Sequence, residues 1–101
     1  MSELVVEEQF SSQQAVTLAV KGMLTVLNAQ QMQQLFSPYS KGEKNLVLSA
    51  DAVEDIDTSG LQLLIGLSKE LAQKNKMLQI RDLNNQLSED LTILGLGDLL
   101  A

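Results

Sequence analysis

Leu46-Val47-Leu48-Ser49-Ala50-Asp51-Ala52-Val53-Glu54-Asp55-Ile56-Asp57-Thr58-Ser59-Gly60-Leu61 passes from a short apolar run, through a set of carboxylates, into a turn of two hydroxyls and a glycine. Leu46, Val47 and Leu48 read as a central strand buried on both faces, because a parallel strand covered on each side has no polar alternation. Asp51, Glu54, Asp55 and Asp57 read as an acidic loop. From about Ser59 the spacing changes to that of a helix running to about residue 74, with a stripe at Leu61, Leu64, Ile65, Leu71 and Ala72. Backbone N–H groups at a helix start lack intrahelical partners and carry the positive end of the dipole, so an anion is stabilised there. Ser59 is therefore placed to carry a phosphoryl group. The same spacing fits simple capping, with Ser59 and Gln62 as a capping box or Asp57 or Thr58 as N-cap.

Working outward, residues 3–9 and 14–21 read as extended, with Val5, Val6, Val16, Leu18 and Val20 supplying apolar positions about a polar turn at Ser11-Ser12-Gln13. They form a hairpin. Helix one is expected over 26–36, with Leu27, Ala29, Met32, Leu35 and Phe36 as its stripe, ended by Pro38 and Gly42. A short strand follows at 77–80 and a last helix at 85–94, stopping near Gly95 and Gly97. A hairpin followed by strand–helix units gives a mixed, mostly parallel sheet, since parallel neighbours need a crossover and helices supply it. Loops at the carboxyl ends of such strands gather at one edge, and the segment from Asp51 to Gly60 is one of them.

The chain has 101 residues and 45% hydrophobic content, enough for one core. Only 3% of residues are aromatic and Trp is absent, so that core is aliphatic. Cysteine is absent too, which fits a reducing compartment. Neither an h-region behind basic residues nor an apolar run near ~18 residues occurs, so no membrane insertion is expected and the location is expected to be cytoplasmic. A net charge of −6 with scattered basic residues argues against nucleic acid. The acidic cluster lacks the glycine and distal glutamate of a calcium loop and reads as a solvated segment rather than a metal site.

The residues quoted above, with Gly22-Met23-Leu24-Thr25 upstream and Leu94-Gly95-Leu96 near the end, resemble a STAS domain, the family named for sulphate transporters and anti-sigma factor antagonists. The resemblance covers nearly the whole chain. It implies a single domain over 1–101 with an α/β fold, a mixed, mostly parallel β-sheet with helices packed against it. Its most specific part is Asp57-Thr58-Ser59-Gly60-Leu61. In stand-alone members the second hydroxyl of that motif is phosphorylated, which implies Ser59 as the acceptor and Thr58 as its competitor, flanked by Asp57 and Gly60. Two positions depart from the pattern: Met23 stands where the family often has an acidic residue, and Thr25 where it often has aspartate.

Leu63 and Leu67 widen the apolar face of the second helix beyond one core stripe, so some leucine there is expected near the surface, against a partner or a neighbouring helix. Between Gly22 and Ser40 no residue is charged, and Gln30, Gln31, Gln33 and Gln34 form the polar face. Catalysis has little to work with: His and Cys are absent, and Lys69 lies roughly 15 Å along the helix from Ser59. No enzyme activity, metal or cofactor is expected. The resemblance implies a bacterial regulatory protein like an anti-sigma factor antagonist, whose partner is an anti-sigma factor or a serine kinase of GHKL type. The run Asp57-Thr58-Ser59-Gly60-Leu61-Gln62-Leu63-Leu64 also fits a non-switching STAS subunit, of a phospholipid-transport ATPase complex or of a chemotaxis-type signalling cluster.

Overall fold

In a computed structural model, residues 4–100 are described. Residue 3, the start of the first expected strand, and the chain's extreme ends lie outside them. The order is β1 (Val5–Ser11), β2 (Ala15–Leu24), a 3₁₀ turn (Val26–Asn28), α1 (Ala29–Ser40), β3 (Asn45–Ile56), α2 (Thr58–Ala72), β4 (Leu78–Arg81), α3 (Asn85–Ile93) and a second 3₁₀ turn (Gly97–Leu99). The strands form one sheet in the order β1-β2-β3-β4, with β1 antiparallel to β2 and the other pairs parallel. The mixed, mostly parallel α/β architecture expected from the sequence is therefore present.

Each register row places residues on one face of the sheet. Glu8, Leu18, Leu48 and Ile80 are opposite one another in turn, and the three apolar members belong to the core. β2 alternates buried and half-buried positions over Ala15–Val20, with Val16, Leu18 and Val20 inward. Right-handed crossovers that step in one direction across a sheet place their helices on the same face. α1 and α2 pack against each other there, enclosing Met32, Phe36, Leu64, Leu67 and Leu71.

Three expectations are corrected. The acidic segment is not a loop: β3 continues to Ile56, with Met23 opposite Asp55 and Leu24 opposite Ile56. Two β-bulges accommodate this, each an extra residue in β3, opposite Ala19–Lys21 and opposite Gly22–Met23 of β2, and Val53 turns into the core while Asp51, Glu54 and Asp55 stay exposed. The first helix does not end at Pro38 but runs through it to Ser40. Pro38 denies a hydrogen bond to the Gln34 carbonyl one turn back. Both residues are exposed, so water can take that carbonyl. The Lys74 ammonium then donates to the carbonyls of Ser40, at 2.9 Å, and Gly42, at 3.1 Å, closing the helix end. Lastly, Leu27 is not part of the core stripe, because 26–28 is a 3₁₀ turn that leaves it 72% exposed.

Candidate partner-binding site

One residue, Asp57, connects β3 to α2, and it organises the surrounding backbone. Its Oδ1 accepts the Gly60 N–H at 3.0 Å, which makes Asp57 the N-cap of α2. Oδ2 accepts the Val26 N–H at 2.9 Å, from the turn that follows β2. Its own N–H donates to the Leu24 carbonyl at 3.2 Å. One aspartate thus pins the start of α2 to the end of β2. The amides, Val26 first and then Gly60, hold the carboxyl below the usual carboxylate range, because they bond only the charged form well.

Gly60 has a steric reason to be glycine. A Cβ there would overlap the Leu24 carbonyl, reaching 2.8 Å from its carbon, so the helix could not approach β2 this closely with any side chain. The capping ambiguity resolves in favour of Asp57, and Ser59 is not the cap. Thr58 and Ser59 instead occupy the first and second helical positions, Thr58 exposed and Ser59 half-buried. Among the described residues neither hydroxyl has a hydrogen-bond partner. Both stand beside amides at the positive end of the α2 dipole.

A groove of about 410 Å³ opens beside this turn, between the start of α2 and α3, lined in part by Asp57, Thr58, Leu61 and the end of α3. At its far rim Ile93 is 81% exposed and Leu94 59%. On the other side of Asp57, Val26 and Leu27 are exposed as well. Two apolar pairs therefore flank the hydroxyl-bearing turn. Sequence reasoning missed all four as surface residues: Val26 and Leu27 open the expected helix over 26–36, with Leu27 in its stripe, and Ile93 and Leu94 close the last expected helix. Val26 and Leu27 lie beyond a strand end that only the register reveals.

The leucines singled out for contact divide. Leu67 is 5% exposed and belongs to the core, which corrects its expected surface position; the apolar face is wide because α2 is wedged between sheet and α1. Leu63 is half-buried and, with Gln33, Phe36 and Gln62, lines a second groove between α1 and α2. Leu61 is half-buried at the first groove. Thr25 is 6% exposed with an Oγ1 that has no partner among the described residues. Among the described residues no helix is long and apolar enough to cross a membrane.

Residues 8–101 match the family described as Mlab, STAS domain. The chain belongs to the STAS domain family. No curated protein sequence matches it. Among solved structures it is similar to the anti-sigma factor antagonist SpoIIAA in its unphosphorylated form, with a TM-score of 0.79 at 16% identity over 96% of this chain and 86% of that one. The Bacillus cell fate determinant SpoIIAA in its phosphorylated form gives 0.73 at 15% identity, over 96% and 89%. A sulfate transporter family protein from Wolinella succinogenes also gives 0.73 at 15% identity, over 92% and 76%. At these identities the likeness is one of fold.

Proposed function

We propose that this chain is a cytoplasmic regulatory protein that acts by binding a partner protein, in the manner of an anti-sigma factor antagonist, and that phosphorylation of Ser59 controls the binding. The carrying observation is the placement of Ser59 at the second position of α2, in a turn fixed by Asp57 and flanked by Val26 and Leu27 on one side and Ile93 and Leu94 on the other. Exposed apolar residues around a polar, rigid centre suit a protein interface. A phosphate adds about 1.5 to 2 negative charges, and the helix terminus stabilises them in the free protein. Asp55 and Asp57 already make the neighbourhood acidic, so a partner that docks on this turn meets added repulsion. The expected partner is an anti-sigma factor or GHKL-type serine kinase, supported by the fold shared with SpoIIAA, of which both unphosphorylated and phosphorylated forms are known.

The match to a family described as Mlab favours a second reading, a non-switching STAS subunit of a transport or signalling complex. Affinity capture from the native host separates the two. An anti-sigma factor or serine kinase retained by the wild-type chain, and phosphate found on Ser59, support the switch. A transporter ATPase or chemotaxis kinase retained equally by wild type and Ser59→Asp supports the non-switching subunit.

A further inference from the structure

The face of the sheet opposite the helices is uncovered by α1 and α2, and its charges are arranged antisymmetrically. One register row runs Glu7, Ala19, Ser49, Arg81 from β1 to β4, with an acid at one edge, a base at the other and small residues between. The next row runs Phe10, Thr17, Val47, Gln79. Val47 is 7% exposed yet stands outside the helix-side core, and Phe10, at the edge of its row, is 64% exposed. Glu7 and Arg81 are both exposed. With three strand spacings of about 4.8 Å between them, they are roughly 14 Å apart and cannot pair within one chain.

We infer that this face is a self-association surface, on which a second copy of the chain packs sheet against sheet. A two-fold axis parallel to the strands, running between β2 and β3, lays β1 of one copy over β4 of the other, so Glu7 meets the partner's Arg81 twice and Ala19 meets the partner's Ser49. Lys21, exposed on β2 and opposite Ala52 in register, then stands over the partner's Ala52, next to the exposed Asp51 in the same bulge. The alternative in-plane axis, across the strands, sets Glu7 over Glu7 and Arg81 over Arg81, and like charges at contact oppose it. Aligned packing of two such faces is a common arrangement of sheets, and isologous contacts are the commonest route to dimers. The contact patch is small, roughly 300 Å² in plane by strand spacing and rise, against about 800 Å² per partner in standard stable complexes. The dimer is accordingly weak, so association is expected only toward about millimolar chain concentration.

Sedimentation equilibrium on the full chain up to about 1 mM, at about 150 mM salt where distant charges are screened but contacts are not, tests this directly. The wild type is expected to dimerise, Glu7→Arg and Arg81→Glu each to weaken the dimer at least ~10-fold, and the double exchange to restore it to within about threefold. Circular dichroism checks that each variant is folded. Independently, amide NMR shifts of Thr17, Ala19, Val47 and Ser49 are expected to change with concentration while those of α1 and α2 do not. A wild type monomeric at about 1 mM, a double exchange that fails to restore association, or concentration-dependent shifts confined to the helices overturns the inference.

Discussion

The Asp57 carboxylate and the Val26 amide are separated by 31 positions in the sequence and by 2.9 Å in the folded chain. That bond joins the end of one central strand to the start of the helix that follows its neighbour. With the Gly60 N–H on its other oxygen, Asp57 holds the hydroxyl-bearing turn in one position.

The first prediction follows from the lowered pKa of Asp57. Because the folded value lies below that of the unfolded chain, about 3.9, the stabilisation is fully present above that pH and is lost as pH falls through the folded value. Asp57→Ala is expected to destabilise the domain at pH 7 and to do so less at pH 3, measured by urea unfolding at both. An equal deficit at the two values would remove the charge from the argument.

The two helical glycines of α2 form a matched pair. Gly60→Ala collides with the Leu24 backbone carbonyl and is expected to cost about 2–3 kcal/mol, since backbone cannot yield as a side chain can. Gly66 meets nothing within 4 Å, so Gly66→Ala is expected to stabilise by about 0.5–1 kcal/mol through helix propensity. Equilibrium denaturation of both variants tests the contrast, and a harmless Gly60→Ala would contradict the close approach.

Thr25 supplies a third test. Its buried hydroxyl lacks a partner among the described residues, so Thr25→Val keeps the shape and removes the unpaired group, and is expected to stabilise by about 1 kcal/mol. A destabilised Thr25→Val in thermal unfolding would mean that the hydroxyl is satisfied in solution.

Legibility in the sequence followed the strength of each physical signal. The apolar triplet Leu46-Val47-Leu48 marked the central strand, and the leucine spacing after Ser59 marked α2 to within a residue or two. The rest of β3 is hidden because Asp and Glu disfavour strands, and Asp51–Ile56 stays extended by pairing with β2 through two bulges in β3 itself. Asp57 and Gly60 were legible as motif residues, but their reasons were not. Both depend on Val26 and Leu24, brought near by tertiary structure. Leu67 looked superfluous to one stripe because the sequence does not say that α2 is covered from two sides.

The exposed apolar pairs lead to a fourth prediction. Leu27→Asp and Ile93→Asp are expected to leave stability within about 0.5 kcal/mol, as surface changes do, while weakening capture of the partner. Leu67→Ala is expected to cost about 2–5 kcal/mol because it opens a cavity between α1, α2 and the sheet. Parallel unfolding and capture assays separate the two classes, and unimpaired capture by both aspartate variants would move the interface away from the turn.

The central claim, that charge on Ser59 governs partner binding, is tested most directly by titrating the captured partner against wild type, Ser59→Asp and Ser59→Ala. Like charge forced into an interface costs several kcal/mol, so Ser59→Asp is expected to bind roughly 10²- to 10³-fold more weakly while Ser59→Ala binds as wild type. Equal affinity of Ser59→Asp and wild type would contradict the account and leave the turn as a structural clasp.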